Sequence, residues 1–416
     1  MSDASIVIVD PYSSGAMLAA ELFARGIGCA AVESSLALPT AMRSRFNPAH
    51  FAAHIQHNNR CDETLHAVTQ LAPTHVIAGF ESGVELAEWL AHQLGLPTND
   101  ARLAKARRDK FAMGNVVWHA GLRTPRQHKG KTAQELLEWV REHVPWPVVV
   151  KPPKGVASDL VFRCDSAPDV LRAAKSVLES RNVLGERNDA VVVQEFLPGV
   201  EYAIDAVSYG GRHKVTAVWQ YLRVPGQRQS VGYDGMRLLA NDEDRVRDVA
   251  KFASQVLDAV GIRFGPSHCE VMWTDDGPAL VEVAARMSAG NNVLLGRLCG
   301  GTCQLDEVVR LLIDPNAFID QLPCFPAYHS LAVNLFLSVA KRGRLLETRF
   351  VDQLEALSTL ESLSLANPAG QVVEGTLGRV TLISSSLPQL ERDVAIVRRL
   401  NDQGIFVVQH DTSANA

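Results

Sequence analysis

Apolar positions follow two rhythms along this chain, and the first hundred residues alternate between them. Ile6-Val7-Ile8-Val9 is apolar at every position, as in a strand buried on both faces of a parallel sheet. Asp10-Pro11-Tyr12-Ser13-Ser14-Gly15 turns the chain, residues 16–25 follow with helical periodicity, and Gly26 supplies a stop. A second apolar run at 29–33 closes a βαβ unit. His75-Val76-Ile77-Ala78 and a helix over 84–94 repeat the pattern, and Leu96-Pro97-Thr98-Asn99-Asp100 marks an exit. The turn after the first strand lacks GxGxxG, so no dinucleotide site is expected there. This segment reads as an α/β scaffold lining one wall of a cleft.

Beyond residue 100 the pattern changes. The spacing predicts a helix over 101–120, strands over 148–151, 190–196 and 201–209, and a helix over 242–260. Residues 267–284 alternate about Asp275-Asp276-Gly277, the signature of a hairpin. A helix over 303–314 stops at Pro315. A smaller α/β unit follows, with strands over 328–337 and 372–383, a helix over 387–403 and a polar tail. The expected division is an α/β domain at 1–100, an α+β domain at 101–325 and a small α/β domain at 326–416.

Composition narrows the class. With 416 residues, 47% hydrophobic and 21% charged, the chain can build two to three domains with large cores and is not disordered. The net charge is −5 and there is no basic block, so neither nucleic acid nor a membrane surface is an expected partner. Anionic small molecules must be held by individual Lys and Arg side chains. The start, MSDASIVIVD, fits neither a secretory signal nor a membrane span, and a cytoplasmic location is expected. The seven cysteines form no CxxC pair, and no second pair complements Cys299 and Cys303, so buried free thiols are the expectation.

The hairpin carries the most specific chemistry. If it is centred on Asp276, Glu270 faces Glu282, His268 faces Ala284 and Pro266 faces Arg286. Directly opposed residues sit ~4.5–5.5 Å apart at Cβ. Two carboxylates that close repel unless a cation lies between them, and magnesium suits one or two carboxylates plus phosphate oxygens. Val271, Val281 and Val283 are expected on the opposite, core face. The plainer reading is a polar, solvated face of an amphipathic hairpin.

Two weaker elements precede it. Residues 147–159, PVVVKPPKGVASD, deliver Lys151 from a strand into a small-residue loop whose backbone N–H groups can cradle phosphates. It is not a Walker A loop. In residues 191–201, VVVQEFLPGVE, backbone groups at 195–197 can read an adenine edge, and Glu201 can accept from ribose hydroxyls.

Taken in order, Lys110 in RRDKFAM, VVVKPP, VVVQEFLPGVEYAIDAV and HCEV…GPALVEVAARMSAG resemble the ATP-grasp superfamily over roughly residues 101–325. The resemblance implies ATP lying between two α+β subdomains, with a lid subdomain at about 147–205. It implies that Lys110, Lys151 and Ser158 contact phosphates, Glu195, Phe196 and Leu197 hold adenine, and Glu201 holds ribose. Glu270 and Glu282 would bind Mg2+, with Mn2+ able to take its place, and Arg286 would stabilise the transferred phosphoryl group. Many members carry Asn two residues after the second metal glutamate, where this chain has Ala284, so a second ion is in doubt. The carboxyl-terminal part, including Gly375-Thr376-Leu377-Gly378-Arg379-Val380, is similar to bacterial L-amino acid ligases, which make dipeptides. That likeness implies amino acid substrates, approached by Tyr233 and Asp234 in the segment 230–235 and by His268, Ser288 and Gly290, and leaves room for a homodimer. Two alternatives stay open. One is a carboxylase or purine-pathway type of ligase, and the other is an ATP-binding protein without turnover.

Overall fold

Strand β1 (Ile6–Val9) is buried at every position because it lies between two parallel neighbours, β2 (Cys29–Glu33) and β4 (His75–Ala78). Strand β3 (Ala53–Gln56) extends this parallel sheet beyond β2. The helix Ser14–Ala24 makes the crossover between β1 and β2. Its Leu18 and Leu22 pack with Ile6, Ile8, Ile77 and the helix Gln304–Ile313 in one core. Gly15 has a packing reason: a Cβ there would lie 2.5 Å from the Gly79 backbone. The turns after β1 and β4 therefore meet backbone to backbone.

This computed structural model describes residues 5–35, 38, 43, 46–156, 158–223, 232–241, 243–322, 325, 327–365 and 369–409. The chain forms two compact units. The first comprises Met1–Val218, Asp244–Leu294 and Thr302–Pro326; the second comprises Trp219–Glu243, Leu295–Gly301 and Ala327–Ala416.

The first unit holds two further groups of strands. An antiparallel sheet in the order β5-β8-β6-β7 is made of β5 (Gln127–Gly130), β6 (Val148–Lys151), β7 (Phe162–Cys164) and β8 (Val191–Glu195). Helices Ala133–His143 and Ala167–Glu179 bury Leu136, Val140, Val170 and Val177 against Val148, Val150, Val191 and Val193 of that sheet. The other group runs β9 (Val200–Tyr209), β12 (Phe264–Thr274) and β13 (Gly277–Ala284), antiparallel throughout. The helix expected over 101–120 is divided in two, a 3-10 segment Ala101–Arg107 and an α-helix Lys110–His119. Asp109 divides them by capping the second, its carboxylate accepting from the N–H groups of Phe111 and Ala112 at 3.0 Å.

In the second unit, β11 (Gly235–Leu238) pairs with the end of β10 (Arg212–Leu222) and with β14 (Leu331–Thr348). Strands β15 (Leu360–Leu365) and β16 (Val372–Ser384) follow, and β17 (Phe406–Gln409) pairs with β14. Helix Leu387–Asp402 covers the sheet through Leu390, Val397 and Leu400. Cys29, Cys164, Cys269, Cys299 and Cys303 are buried free thiols, whereas Cys61 is exposed; Cys324 lies outside the described residues. Among the described residues no helix is long and apolar enough to cross a membrane.

Candidate active site

Three antiparallel strands set side chains on one face in rows. Glu270 on β12 stands opposite Glu282 on β13 and Ala203 on β9. In the next row His268 stands opposite Ala284 and Asp205, and on the other side Met272 stands opposite Ala279 and Glu201. The expected pairing of Glu270 with Glu282 and of His268 with Ala284 is thus present. The route to it differs. The tip pairs Thr274 with Gly277, leaving Asp275 and Asp276 as a two-residue loop, and an irregularity between Glu270 and Val271 restores the register. Val281 is the extra residue. It is half-buried and packs with Leu197, Met272 and Ala279 rather than in the opposite core beside Val271 and Val283, which corrects the expectation for it. The paired register ends at Ala284, so Arg286 stands beyond the strand and not opposite Pro266.

His268 is held at both nitrogens. Nδ1 lies 2.7 Å from Asp205 Oδ1, and Nε2 lies 3.4 Å from Glu270 Oε1. Burial disfavours the imidazolium, but Asp205 and then Glu270 outweigh it and raise the ring's pKa to about 9. Asp205 escaped the sequence reading, although its spacing of four from Glu201 within one strand puts both on the same face.

The two lysines reach the same carboxylates from other elements. Lys110 opens its helix beside the loop that follows β6. Its N–H donates to the Pro153 carbonyl at 2.8 Å, and Nζ donates to Glu282 Oε1 at 2.8 Å and to the Gly155 carbonyl at 3.1 Å. Lys151, at the end of β6, is only 5% exposed. Burial lowers its pKa to about 8, Lys110 pushes the same way, and Glu282, Glu270 and Glu201 oppose. Ser158 lies further along the loop in a left-handed backbone conformation, φ 56°. The neighbouring Asp159 carboxylate fixes the loop by accepting from the Val183 N–H at 2.6 Å.

Arg286 is aimed by a residue that no local pattern announced. Its Nε donates to Glu81 Oε2 at 2.8 Å and its Nη1 to the Met287 carbonyl at 2.9 Å. Glu81, in the turn after β4, also accepts from Arg108 Nη1 at 2.5 Å. Burial alone would raise the Glu81 carboxyl, but Arg108, Arg286 and Lys110 outweigh it and hold it below the usual carboxylate range. The result is a largely buried Arg–Glu–Arg chain running from Arg108 to Arg286.

The remaining expected residues fall in three places. Glu195 ends β8, its carboxylate paired with Arg126 at 3.1 Å and its N–H taken by the Arg126 carbonyl at 2.8 Å. Phe196 lies under the Arg163 guanidinium, 4.8 Å from the ring centroid, and Leu197 is buried beside Met272. Near Arg286, the Ser288 N–H donates to Gln304 at 2.8 Å and the Gly290 N–H donates to Ser13 Oγ at 3.3 Å. That contact brings the serine turn after β1 to the segment beyond Arg286. Tyr233 and Asp234 belong to the second unit, where Tyr233 lies against Tyr221 and Asp234 binds Arg398 at 2.6 and 3.0 Å. Ser230 and Val231 lie outside the described residues.

Comparison with known proteins settles the family. Residues 144–294 match the ATP-grasp domain model. The chain is 30% identical over 320 residues to dapdiamide A synthase of Enterobacter agglomerans, covering 76% of this chain and 75% of that protein. The chain belongs to the ATP-grasp superfamily. It is also 20% identical over 239 residues to the L-arginine-specific L-amino acid ligase of Bacillus subtilis, covering 56% of this chain and 55% of that one. The crystal structure of an L-amino acid ligase from Bacillus licheniformis shares the fold with a TM-score of 0.75 at 18% identity, over 98% of this chain and 99% of that one. As an ATP-grasp ligase the protein uses ATP to form carbon–nitrogen bonds.

The Glu270 and Glu282 pair fits a hard divalent ion. Among the described residues no three His, Cys, Asp or Glu side chains converge into a closed metal site. Two facing carboxylates are what an ion shared with nucleotide phosphates needs.

If Lys151 holds a nucleotide phosphate, nucleotide binding is expected to depend on pH. Its pKa of about 8 leaves it charged at neutral pH and increasingly neutral above pH 8. A bound phosphate favours the charged form, so binding above pH 8 must add a proton. ADP affinity should fall roughly tenfold per pH unit there, measured by calorimetry. Lys151→Met should flatten that slope; an unchanged slope would assign it to another group.

Proposed function

We propose that this protein is an L-amino acid ligase that joins two amino acids into an α-dipeptide, releasing ADP and phosphate. The observation that carries the reading is the facing pair Glu270 and Glu282, with Lys110 bonded to one of them and Lys151 buried nearby. Dapdiamide A synthase and the arginine-specific ligase, as named, point the same way.

The chemistry runs in two steps. One oxygen of the first amino acid's carboxylate attacks the γ-phosphorus of ATP, giving an acyl phosphate and ADP. The amine of the second then attacks the carbonyl carbon, the C–O bond to phosphate breaks, and a proton leaves the nitrogen. Lys110 and Lys151 hold phosphate oxygens, and Arg286, fixed by Glu81, meets charge on the transferred group. Mg2+, or Mn2+ in its place, supplies Lewis-acid stabilisation of phosphoryl oxygens when held by Glu270 and Glu282. Glu195, Phe196 and Leu197 take the adenine, Glu201 the ribose, and Ser158 belongs to the phosphate loop. The loop over 154–159 shields the acyl phosphate from water. Ser288 and Gly290 line the amino acid side.

Mixing the protein with ATP, Mg2+ and pairs of amino acids should release phosphate only when amino acids are present, with dipeptide visible by mass. Phosphate release indifferent to added amino acids would sink the reading.

A further inference from the structure

The row beside the metal carboxylates contains a histidine that no step above uses. His268 is 9% exposed, and its strand neighbour on the β13 side is Ala284, too short to touch the ring's polar edge. On the β9 side is Asp205, 1% exposed, whose Oδ1 lies 2.7 Å from Nδ1. Carboxylate oxygens at both nitrogens accept from both ring N–H groups, and Asp205 fixes the ring plane. So oriented, the ring turns Nε2 along its own strand to Glu270 Oε1 at 3.4 Å.

We infer that Asp205 and His268 are a positioning pair that holds the Glu270 carboxylate in register with Glu282 for the metal ion. This deepens the nucleotide-ligase reading and rests on it. Three observations favour positioning over direct contact with ion or substrate. Both ring nitrogens are already committed, to Asp205 and to Glu270. Magnesium prefers oxygen donors, so an imidazole edge between two carboxylates serves better as a spacer than as a ligand. The pairing also needs a side-chain restraint: the irregularity next to it puts the extra residue, Val281, on β13 directly before Glu282, so the two carboxylates meet at a break in the β12–β13 ladder. Glu282 has its own restraint in Lys110, so each metal carboxylate is held by one charged partner from outside the pair.

The test measures metal-dependent binding without turnover. Affinity for a non-hydrolysable ATP analogue is determined by calorimetry with and without Mg2+, in the full chain and in His268→Ala, His268→Gln and Asp205→Asn. Losing the support of a metal carboxylate weakens metal affinity roughly 10–100-fold. His268→Ala should therefore lose roughly tenfold or more of the Mg2+-dependent part and leave metal-free binding unchanged. His268→Gln keeps a donor and should recover part of the loss. Asp205→Asn, nearly isosteric, should fall between wild type and His268→Ala. Wild-type Mg2+ dependence in all three variants, or a raised amino acid KM with normal metal affinity, overturns the inference and leaves the ligase reading intact. Failure of the wild type to bind the analogue at all would instead remove the ligase reading and this inference with it.

Discussion

Glu282→Ala is expected to lose ligation by at least ~10³-fold, a cost of about 4 kcal/mol in the transition state. Two losses combine in it. The carboxylate facing Glu270 disappears, so an ion between them keeps one protein oxygen ligand of this pair. Lys110 also loses the acceptor at 2.8 Å that points its ammonium at the same place. The Glu282 side chain is 27% exposed, so its removal leaves no large void and the melting temperature should stay within a few degrees. Glu282→Gln separates charge from shape. It keeps an oxygen that can accept from Lys110 but not the charge that offsets the cation, and should be nearly as inactive. ADP release under saturating ATP and Mg2+ is the measurement. Activity within tenfold of wild type in either variant would remove Glu282 from the metal assignment.

The facing glutamates were legible because a hairpin converts spacing into geometry. Residues equidistant from a turn must meet, and the Asp-Asp-Gly sequence located the turn closely enough. The irregularity after Glu270 was not legible. It shifts the tip and turns Val281 toward Leu197 and Met272, and nothing in a run of small and β-branched residues distinguishes a slip of one from none. Strands flanked by apolar runs, such as β1, β2 and β4, were placed to the residue because burial on both faces leaves a continuous signal.

Glu81 and Asp205 show what one-dimensional reading misses. Glu81 is a lone acid in a turn, and its meaning comes from Arg286, 205 positions away. Asp205 sits in a strand already read as carrying Glu201, where counting by two would have placed it on the same face. The second unit is a different case. It joins 219–243 and 295–301 to the carboxyl-terminal residues, and contacts made across such separations leave no composition shift at the joins. Asp234 illustrates the consequence: beside a nucleotide strand it suggested a substrate contact, whereas its carboxylate is engaged by Arg398, 164 positions on.

Arg286→Lys should lower kcat by roughly 10²–10³-fold, about 3–4 kcal/mol, with little change in the KM for ATP. The guanidinium is used as a fork. Nε is anchored on Glu81 and Nη1 on the Met287 carbonyl, so the plane of the group is set before any substrate arrives. A lysine ammonium restores the charge but cannot hold those two anchors and still present a planar pair of donors to phosphoryl oxygens. In the proposed site ATP is bound by Lys110, Lys151 and the adenine-side residues, none of which bonds to Arg286, so ground-state affinity should survive. Glu81 remains paired with Arg108 in the variant, which keeps a buried carboxylate from being stranded and lets the fold tolerate the change. Glu81→Gln tests the same chain from the other end. It leaves Arg286 in place with a weaker anchor and should lower kcat in the same direction by a smaller factor. Steady-state kinetics over ATP at saturating amino acids separates the outcomes. A raised KM with kcat intact would mean that Arg286 binds ground-state ATP and not the phosphoryl group in flight.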